Sequence, residues 1–189
     1  RKLLVAPVSL RKGMENLIRR EIEHAQQGRG GHIRAKMNSL VDPGIIALLY
    51  EASQAGVTIE LIIRGMCCLY PGRKGLSESI HVVSIIGRFL EHSRIFWFGN
   101  GGSPEVFIGS ADWMPRNLDR RVEAVTPIEE PALREQLERL LQVYLDDNRG
   151  AFDMQSNGDF TQRHPEDIER NSQLQLIETW KKGVPASDD

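Results

Sequence analysis

The sequence lacks the features that mark membrane-spanning, disulfide-stabilised or generally nucleic-acid-binding proteins. No apolar run approaches the roughly 18–20 residues of a membrane-spanning helix, and no signal peptide is visible. The two cysteines, Cys67 and Cys68, are adjacent and therefore poorly placed to bridge each other, which predicts buried thiols in a reducing cytosol. A net charge of −2 argues against a general nucleic-acid surface and leaves room only for local basic clusters. We expect a cytoplasmic protein, with peripheral membrane association left open.

The composition is that of a globular α/β domain. Of the 189 residues, 40% are hydrophobic and 26% are charged. The chain begins at Arg1 without a methionine, which indicates a piece of a longer protein. Apolar patterns predict helices near residues 14–27, 43–55 and 131–147, alternating early in the chain with buried strands. We predict a mixed, largely parallel sheet of six or seven strands flanked by helices, formed by residues 1–150, with residues 151–189 as a helical extension and tail of the same domain.

The residues between 84 and 123 predict a site at the ends of two short strands joined by a glycine-rich turn. Alternation along the first strand places His92 and Arg94 on the same face as Phe96 and Phe98. The second strand runs into a Gly-Ser turn at 109–110. An arginine, an imidazole and turn N–H groups together suit a phosphoryl group. The alternative is that His92 only satisfies a hydrogen bond at a strand start.

Further candidates lie at the ends of other predicted strands. Arg64 follows an apolar strand, at the carboxyl end where ligands collect in α/β sheets. Lys36 and Asn38 end a strand with one basic face, and either Arg120 or Arg121 is expected beside the Gly-Ser turn. In the polar loop at 69–79, Arg73 and Lys74 either contact an anionic substrate or belong to a plain solvated loop.

Four sequence blocks carry a resemblance to a known family. They are KMNSLVD (36–42), LYEASQAGVTIELIIRGMCCL (49–69), SIIGRFLEHSRI (84–95) and GSADWMPRNLDRRVE (109–123). With the opening LLVAP they resemble the last domain of bacterial polyphosphate kinase, the long-chain-synthesising type built on two phospholipase D-like halves. The resemblance implies a phospholipase D-like half and reversible transfer of the ATP terminal phosphate to inorganic polyphosphate through a phosphohistidine.

The resemblance also implies roles for individual residues. It assigns His92 and Arg64 to the phosphate-binding tunnel of the nucleotide. We take His92 as the catalytic residue, and the positions of Arg121, Lys36 and Asn38 in the predicted elements make them further candidate ATP- or phosphate-binding residues. The phosphorylated histidine and the groups associated with Mg²⁺ are expected in a preceding domain, so no metal ligand is assigned here. The expected partners are ATP or ADP, polyphosphate, upstream domains of the same polypeptide and a second copy in a homo-oligomer, without nucleic acid or a transmembrane segment.

The sequence departs from the phospholipase D-like pattern in ways that favour a half-site. Arg94 replaces the lysine two positions after the histidine, and Gly99 stands where an aspartate is expected seven positions after it. Tyr70 stands where the family often has arginine. We therefore expect the fragment alone to be inactive. The alternatives are a phospholipase D-like phosphodiesterase or nuclease half, and a non-catalytic phosphate-binding or docking domain.

Overall fold

The computed structural model describes residues 3–165 and 167–181, which form one nine-stranded sheet with helices on both faces. The strands are β1 (Leu4–Ala6), β2 (His32–Met37), β3 (Thr58–Ile63), β4 (Ile80–Ile85), β5 (Ile95–Phe98), β6 (Glu105–Gly109), β7 (Glu123–Ile128), β8 (Ala151–Met154) and β9 (Phe160–Gln162). The helices are α1 (Leu10–Gln26), α2 (Pro43–Gln54), α3 (Pro115–Asp119), α4 (Pro131–Leu145) and α5 (Ser172–Lys181).

The sheet is mixed, as expected, but it is not largely parallel. Its strand order is β1-β7-β6-β5-β2-β3-β4-β8-β9. Within the described residues, only the β2–β3 and β3–β4 pairs are parallel. The remaining pairs are antiparallel. Between β5 and β6 a short connection reverses the chain, whereas parallel neighbours need a longer crossover. β1 lies at the far edge against β7 and not beside β2.

The two sheet faces bury two apolar clusters. On one face α1 and α2 cover Ile33, Ala35 and Phe96, which belong to the larger cluster. On the other face α4 covers Ile95 and Trp97. Because neighbouring residues of β5 point to opposite faces, this short strand contributes to both clusters. A strand buried on both faces is held firmly, which fixes the position of the chain that enters it.

The three predicted helices are confirmed within a few residues of their predicted ends. Asp42 begins α2 as the N-cap, since its carboxylate accepts a hydrogen bond from the Ile45 N–H at 2.9 Å and Pro43 follows it. Burial opposes ionisation of Asp42, but hydrogen bonds from Arg11 and Ile45 outweigh it and hold the pKa of the carboxyl below its usual value. None of the described helices combines the length and apolarity that a membrane crossing requires.

Several elements differ from the sequence-based expectation. β4, β8 and β9 were not predicted, and they raise the strand count to nine among the described residues. Residues 151–162 therefore extend the sheet, and among the described residues after them only α5 is helical. β5 begins at Ile95, so His92 and Arg94 lie in irregular chain before the strand and not within it. The predicted tail, VPASDD at 184–189, lies outside the described residues.

Candidate functional site

Strand direction brings distant segments to one edge of the sheet. Asn38 follows β2 and Arg64 follows β3, and these strands are parallel. β5 runs antiparallel to β2, with Lys36 opposite Ile95, so the residues just before β5 lie at the same edge. By the same alternation the end of β6 and the start of β7 also reach this edge. The chain therefore places five separate segments around one cavity.

The cavity has a volume of about 500 Å³ and contains most of the predicted site residues. Among those predicted, Asn38, Arg64, His92, Ser110 and Arg121 line it. Arg94, predicted to lie beside His92, also lines it. The lining further includes residues to which the sequence gave no role: Ser39, Gly65, Asp112, Arg116, Asn117 and Glu123. The convergence expected of Arg64, His92 and the Gly-Ser turn is therefore present.

Asp112 is the centre of the hydrogen-bond network on one wall of the cavity. Its carboxylate accepts hydrogen bonds from the Asn38 backbone N–H at 2.8 Å and from Asn38 Nδ2 at 3.1 Å. Arg94 Nε donates to the same carboxylate at 3.1 Å. Arg64 Nε donates to Asn38 Oδ1 at 2.7 Å, which orients the Arg64 guanidinium. Asp112 is 4% exposed, so this network forms a rigid, mostly buried base for the arginines.

Arg94 links this network to His92. Its Nη1 donates to the His92 carbonyl oxygen at 2.9 Å and lies 3.1 Å from His92 Nδ1. His92 itself is exposed, and it lines the cavity from the segment before β5. The backbone of His92 is therefore fixed by Arg94, while its ring is accessible to a ligand.

The opposite wall is organised by Glu123. Its carboxylate accepts hydrogen bonds from the Ser110 hydroxyl and, at 2.6 Å, from Asn117 Nδ2. Ser110 Oγ also accepts the Ala124 N–H at 3.2 Å. Because the Ser110 hydroxyl is engaged with a carboxylate that is 8% exposed, this wall is as firmly held as the first.

The cavity carries an excess of positive charge. Four arginines line it against two carboxylates, Asp112 and Glu123. Arg94 is ion-paired with Asp112. Arg116 and Arg121 are exposed, and within residues 3–165 and 167–181 neither forms an ion pair. Guanidinium groups without carboxylate partners, directed at a cavity of this size, suit a phosphate-rich anion.

Lys36 lies elsewhere, although it was predicted to be a phosphate ligand. It is 1% exposed and does not line the cavity, because its position in β2 directs it to the sheet face covered by α4. Its Nζ donates to Ser93 Oγ at 2.9 Å and lies 3.2 Å from Glu91 Oε2. Burial lowers the pKa of Lys36, and Glu91 opposes that shift. The geometry gives Lys36 no direct contact with a ligand in this cavity.

The remaining candidates lie away from the cavity or differ from expectation. Arg73 stacks on Tyr70, with its guanidinium carbon 4.1 Å from the ring centroid, and donates to the Ser156 carbonyl at 3.0 Å. Both cysteines are free, but only Cys67 is partly buried and Cys68 is exposed, so the expectation of two buried thiols is wrong for Cys68. Local sequence around Cys68 reads as a strand end and does not reveal that it faces outward.

The residues missed by the sequence reading act mainly as supports. Asp112 and Glu123 hold other site residues through hydrogen bonds. The bond between Asp112 and Asn38 joins residues 74 positions apart, whereas Glu123 and Asn117 are six positions apart. Arg116 has a weak sequence signal, since RNLDRR places three arginines within six residues beside the Gly-Ser turn. Among the described residues, no group of three or more histidine, cysteine, aspartate or glutamate side chains could hold a metal ion.

Comparison with solved structures first defines the class of fold. The phospholipase D family member Nuc from Salmonella typhimurium superposes with a TM-score of 0.58 at 18% identity, covering 82% of this chain and 97% of that one. NucT from Helicobacter pylori superposes with a TM-score of 0.57 at 14% identity, covering 76% of this chain and 94% of that one. At these identities the likeness is one of fold, and the chain therefore has a phospholipase D-like α/β fold.

The family follows from closer matches. The family described as "Polyphosphate kinase C-terminal domain 2" matches residues 3–175, and the chain belongs to this family. A polyphosphate kinase of Parasynechococcus marenigrum is 79% identical over 99% of the chain and 26% of the relative, and that of Prochlorococcus marinus is 74% identical over the same shares. The polyphosphate kinase structure from Porphyromonas gingivalis superposes with a TM-score of 0.93 at 41% identity, covering 96% of this chain and 28% of that one. The chain thus spans about a quarter of the length of these curated relatives.

Proposed function

We propose that this domain supplies the phosphate-binding half of a polyphosphate kinase active site, which reversibly transfers the terminal phosphate of ATP to inorganic polyphosphate. The observation that carries the proposal is one cavity that is lined by Arg64, Arg116 and Arg121 together with the exposed His92. Phosphoryl transfer depends on in-line positioning and on positive charge at the equatorial oxygens, and asks for little other chemistry from the protein. The cavity supplies the positive charge.

Each site residue has a role in this mechanism. The three arginines bind the phosphate oxygens, with Arg64 preset by its hydrogen bond to Asn38. As the bond between the γ-phosphorus and the bridging oxygen breaks, the electron pair stays with the leaving ADP oxygen. The phosphoryl group bonds to a histidine nitrogen that we place on another part of the longer protein. His92 positions the transferred group or donates a proton to the leaving oxygen. In the second step the terminal oxygen of polyphosphate takes the phosphoryl group from that nitrogen.

Magnesium ligands are not part of the role proposed for this chain. Asp112 and Glu123, the carboxylates lining the cavity, are each occupied by hydrogen bonds to neighbouring side chains. The described residues therefore do not fit a Mg²⁺ site by themselves, and we place its ligands on the remainder of the polypeptide. A cytoplasmic location, binding of the upstream domains and a homo-oligomeric assembly belong to the same proposal.

The test uses the full-length protein that contains this chain. We expect His92→Ala to lower polyphosphate synthesis from ATP by about 10²–10⁴-fold, the usual contribution of a positioned general acid. His92→Gln keeps a hydrogen bond to phosphate but cannot cycle a proton, so recovery with glutamine would identify a binding role. His164→Ala is the matched control, because His164 is also exposed and lies outside the cavity. Wild-type rates for both His92 variants would contradict the proposal.

A second assay separates the phosphodiesterase alternative. We expect the full-length protein to form ATP from polyphosphate and ADP and to leave bis-p-nitrophenyl phosphate intact. Hydrolysis of that ester, lost in His92→Ala, would instead favour a phospholipase D-like phosphodiesterase. The isolated chain should turn over neither substrate, since the proposed phosphorylated histidine lies outside it.

A further inference from the structure

The chain that leads into His92 is held from the C-terminal helix. Gln173, in the first turn of α5, makes three hydrogen bonds with this segment. Its Oε1 accepts the Phe89 N–H at 2.9 Å, and its Nε2 donates to the Phe89 carbonyl and to Glu91 Oε1, each at 2.8 Å. Gln173 is 6% exposed, so these bonds are shielded from water. A neutral amide is required here, because only it accepts from one group and donates to two.

The fit at Gly87 shows how closely α5 approaches this segment. A methyl group at position 87 would lie 2.5 Å from Gln173 Oε1 and 2.9 Å from its Cδ. Glycine therefore allows the Gln173 amide to reach Phe89. Gly87, Phe89 and Glu91 all belong to the SIIGRFLEHSRI block that ends at β5, and all three meet the same side chain.

Glu91, which accepts from Gln173 through one carboxylate oxygen, contacts Lys36 through the other. Its Oε2 lies 3.2 Å from Lys36 Nζ, and that Nζ donates to Ser93 Oγ at 2.9 Å. Lys36 also lies over the Tyr144 ring of α4, 4.9 Å from the centroid. Residues 91 and 93, the immediate neighbours of His92, are therefore both tied to one buried ammonium group. Lys36 does not line the cavity, but these contacts give it a role in holding the residues on either side of His92.

The start of α5 is itself fixed to the sheet. Asp147, which is 1% exposed, accepts the Ser172 N–H at 2.7 Å. Its other carboxylate oxygen accepts the N–H groups of Gly150 at 2.6 Å and Ala151 at 3.1 Å, where β8 begins. Gln173 thus extends from a helix end that is anchored by a buried carboxylate. Because the start of α5 is fixed to the sheet, Gln173 holds the segment that leads into His92 in a fixed position relative to the sheet.

We propose that Gln173, Glu91 and Lys36 form a clamp that positions His92 for phosphoryl transfer. Through Gln173, the C-terminal helix thereby has a positioning role in catalysis. The inference rests on the function proposed above. None of the three residues contacts the substrate in this role; each acts through His92. Since a displacement of about 1 Å can cost on the order of 10²-fold in rate, a clamp remote from the cavity can still control turnover.

The test replaces Gln173 with glutamate in the full-length protein. The substitution removes both donated hydrogen bonds and places a second carboxylate against Glu91. We expect kcat for polyphosphate synthesis to fall by about 10–100-fold, with KM for ATP within about twofold of wild type, since the arginines are untouched. Gln175→Ala is the matched control, because it changes the same residue type at an exposed position of α5 and should leave kcat unchanged.

Amide hydrogen exchange provides a readout that does not depend on activity. In Gln173→Glu, repulsion between the new carboxylate and Glu91 should displace the oxygen that accepts the Phe89 N–H. Exchange of that N–H should become at least about tenfold faster, while exchange in β5 stays slow. The double variant Gln173→Glu with Glu91→Gln restores one amide–carboxylate pair and should recover part of the lost kcat. Unchanged kcat in Gln173→Glu, or loss of kcat without faster Phe89 exchange, would overturn the clamp. If kcat is unchanged while His92→Ala is inactive, the clamp fails and the proposed function stands. If the full-length protein makes no polyphosphate, the proposed function fails and the positioning role fails with it.

Discussion

Arg94 and Asp112 form an ion pair beneath the cavity, with Arg94 Nε 3.1 Å from Asp112 Oδ1. The pair joins the segment before β5 to the turn after β6, and the same carboxylate holds the backbone of Asn38 after β2. One buried carboxylate therefore fixes the relative positions of three chain segments that carry site residues. Its loss should affect both stability and catalysis.

We expect Asp112→Ala to lower the free energy of unfolding of the chain by about 2–4 kcal/mol. The substitution leaves the Arg94 guanidinium and the buried Asn38 N–H without their acceptor, and both penalties are of that order. Urea denaturation followed by circular dichroism measures the change. Asp146→Ala, at an exposed position, is the control and should cost much less. Equal effects of the two substitutions would show that Asp112 does not organise the site.

Arg121→Ala in the full-length protein should weaken binding of tripolyphosphate by about 10–100-fold, because it removes charge-assisted hydrogen bonds worth roughly 1.5–3 kcal/mol. Arg121→Lys should recover only part of the affinity, since lysine keeps the charge but loses the planar fork. Titration calorimetry at fixed ionic strength measures both. Arg139→Ala, on the outer face of α4 and 70% exposed, is the control. An affinity loss as large in the control would mean that general charge, and not the cavity, binds the anion.

Glu60 should make stability depend on acid pH. Hydrogen bonds from His32 at 2.8 Å and Arg34 at 2.6 Å lower the pKa of Glu60 from 4.5 to about 2, against the opposing effect of burial. Because the folded-state pKa is depressed, the stabilisation is complete above pH 4.5 and is lost as the pH falls towards 2.

Glu60→Gln should therefore lower the free energy of unfolding by about 1–3 kcal/mol at pH 7, and this difference should vanish near pH 2. Urea titrations at pH 7, 4 and 2.5 measure it. Glu178→Gln, at an exposed position of α5, is the control. A difference between Glu60→Gln and the parent that stays constant with pH would contradict the assignment.

The two cysteines should differ in reactivity although they are adjacent. Burial raises the pKa of the Cys67 thiol to about 11, so at pH 8 only about one molecule in a thousand carries its thiolate, which is the reactive form. Cys68 is exposed. Iodoacetamide should therefore label Cys68 first, as peptide mass spectrometry would show, and Cys68→Ser should remove the fast reaction. Rapid labelling of Cys67 in that variant would contradict its burial.

Much of the fold was predictable from local pattern. The Asp42-Pro43 start and the apolar spacing of α1, α2 and α4 are properties of short segments, and they determine helices without reference to the rest of the chain. β8 and β9 were missed because residues 151–162 carry little alternation. They become strands because β8 pairs with β4 and β9 pairs with β8 at the sheet edge. Tertiary pairing, not intrinsic preference, forms such strands.

The candidate site was predictable where a side chain follows a strand end. Arg64 and Asn38 fall into that class, and both line the cavity together with His92, which precedes β5. Lys36 shows the limit of the argument, because a basic face on an alternating strand does not say whether a helix covers it. Asp112 and Gln173 support the site through hydrogen bonds to residues that lie 74 and 84 positions away in the sequence. No local sequence pattern predicts such bonds.

The cavity draws on chain segments from Asn38 to Glu123, separated by strands that must pair before the segments meet. Such a site has a high contact order, and the loop-closure entropy it requires is recovered only when the central strands are in register. Partly folded states therefore hold the arginines apart and bind anions weakly. We therefore expect added polyphosphate to lower the unfolding rate of the chain more than it raises the folding rate. The reason is that the anion binds the assembled cavity, which is completed late in folding.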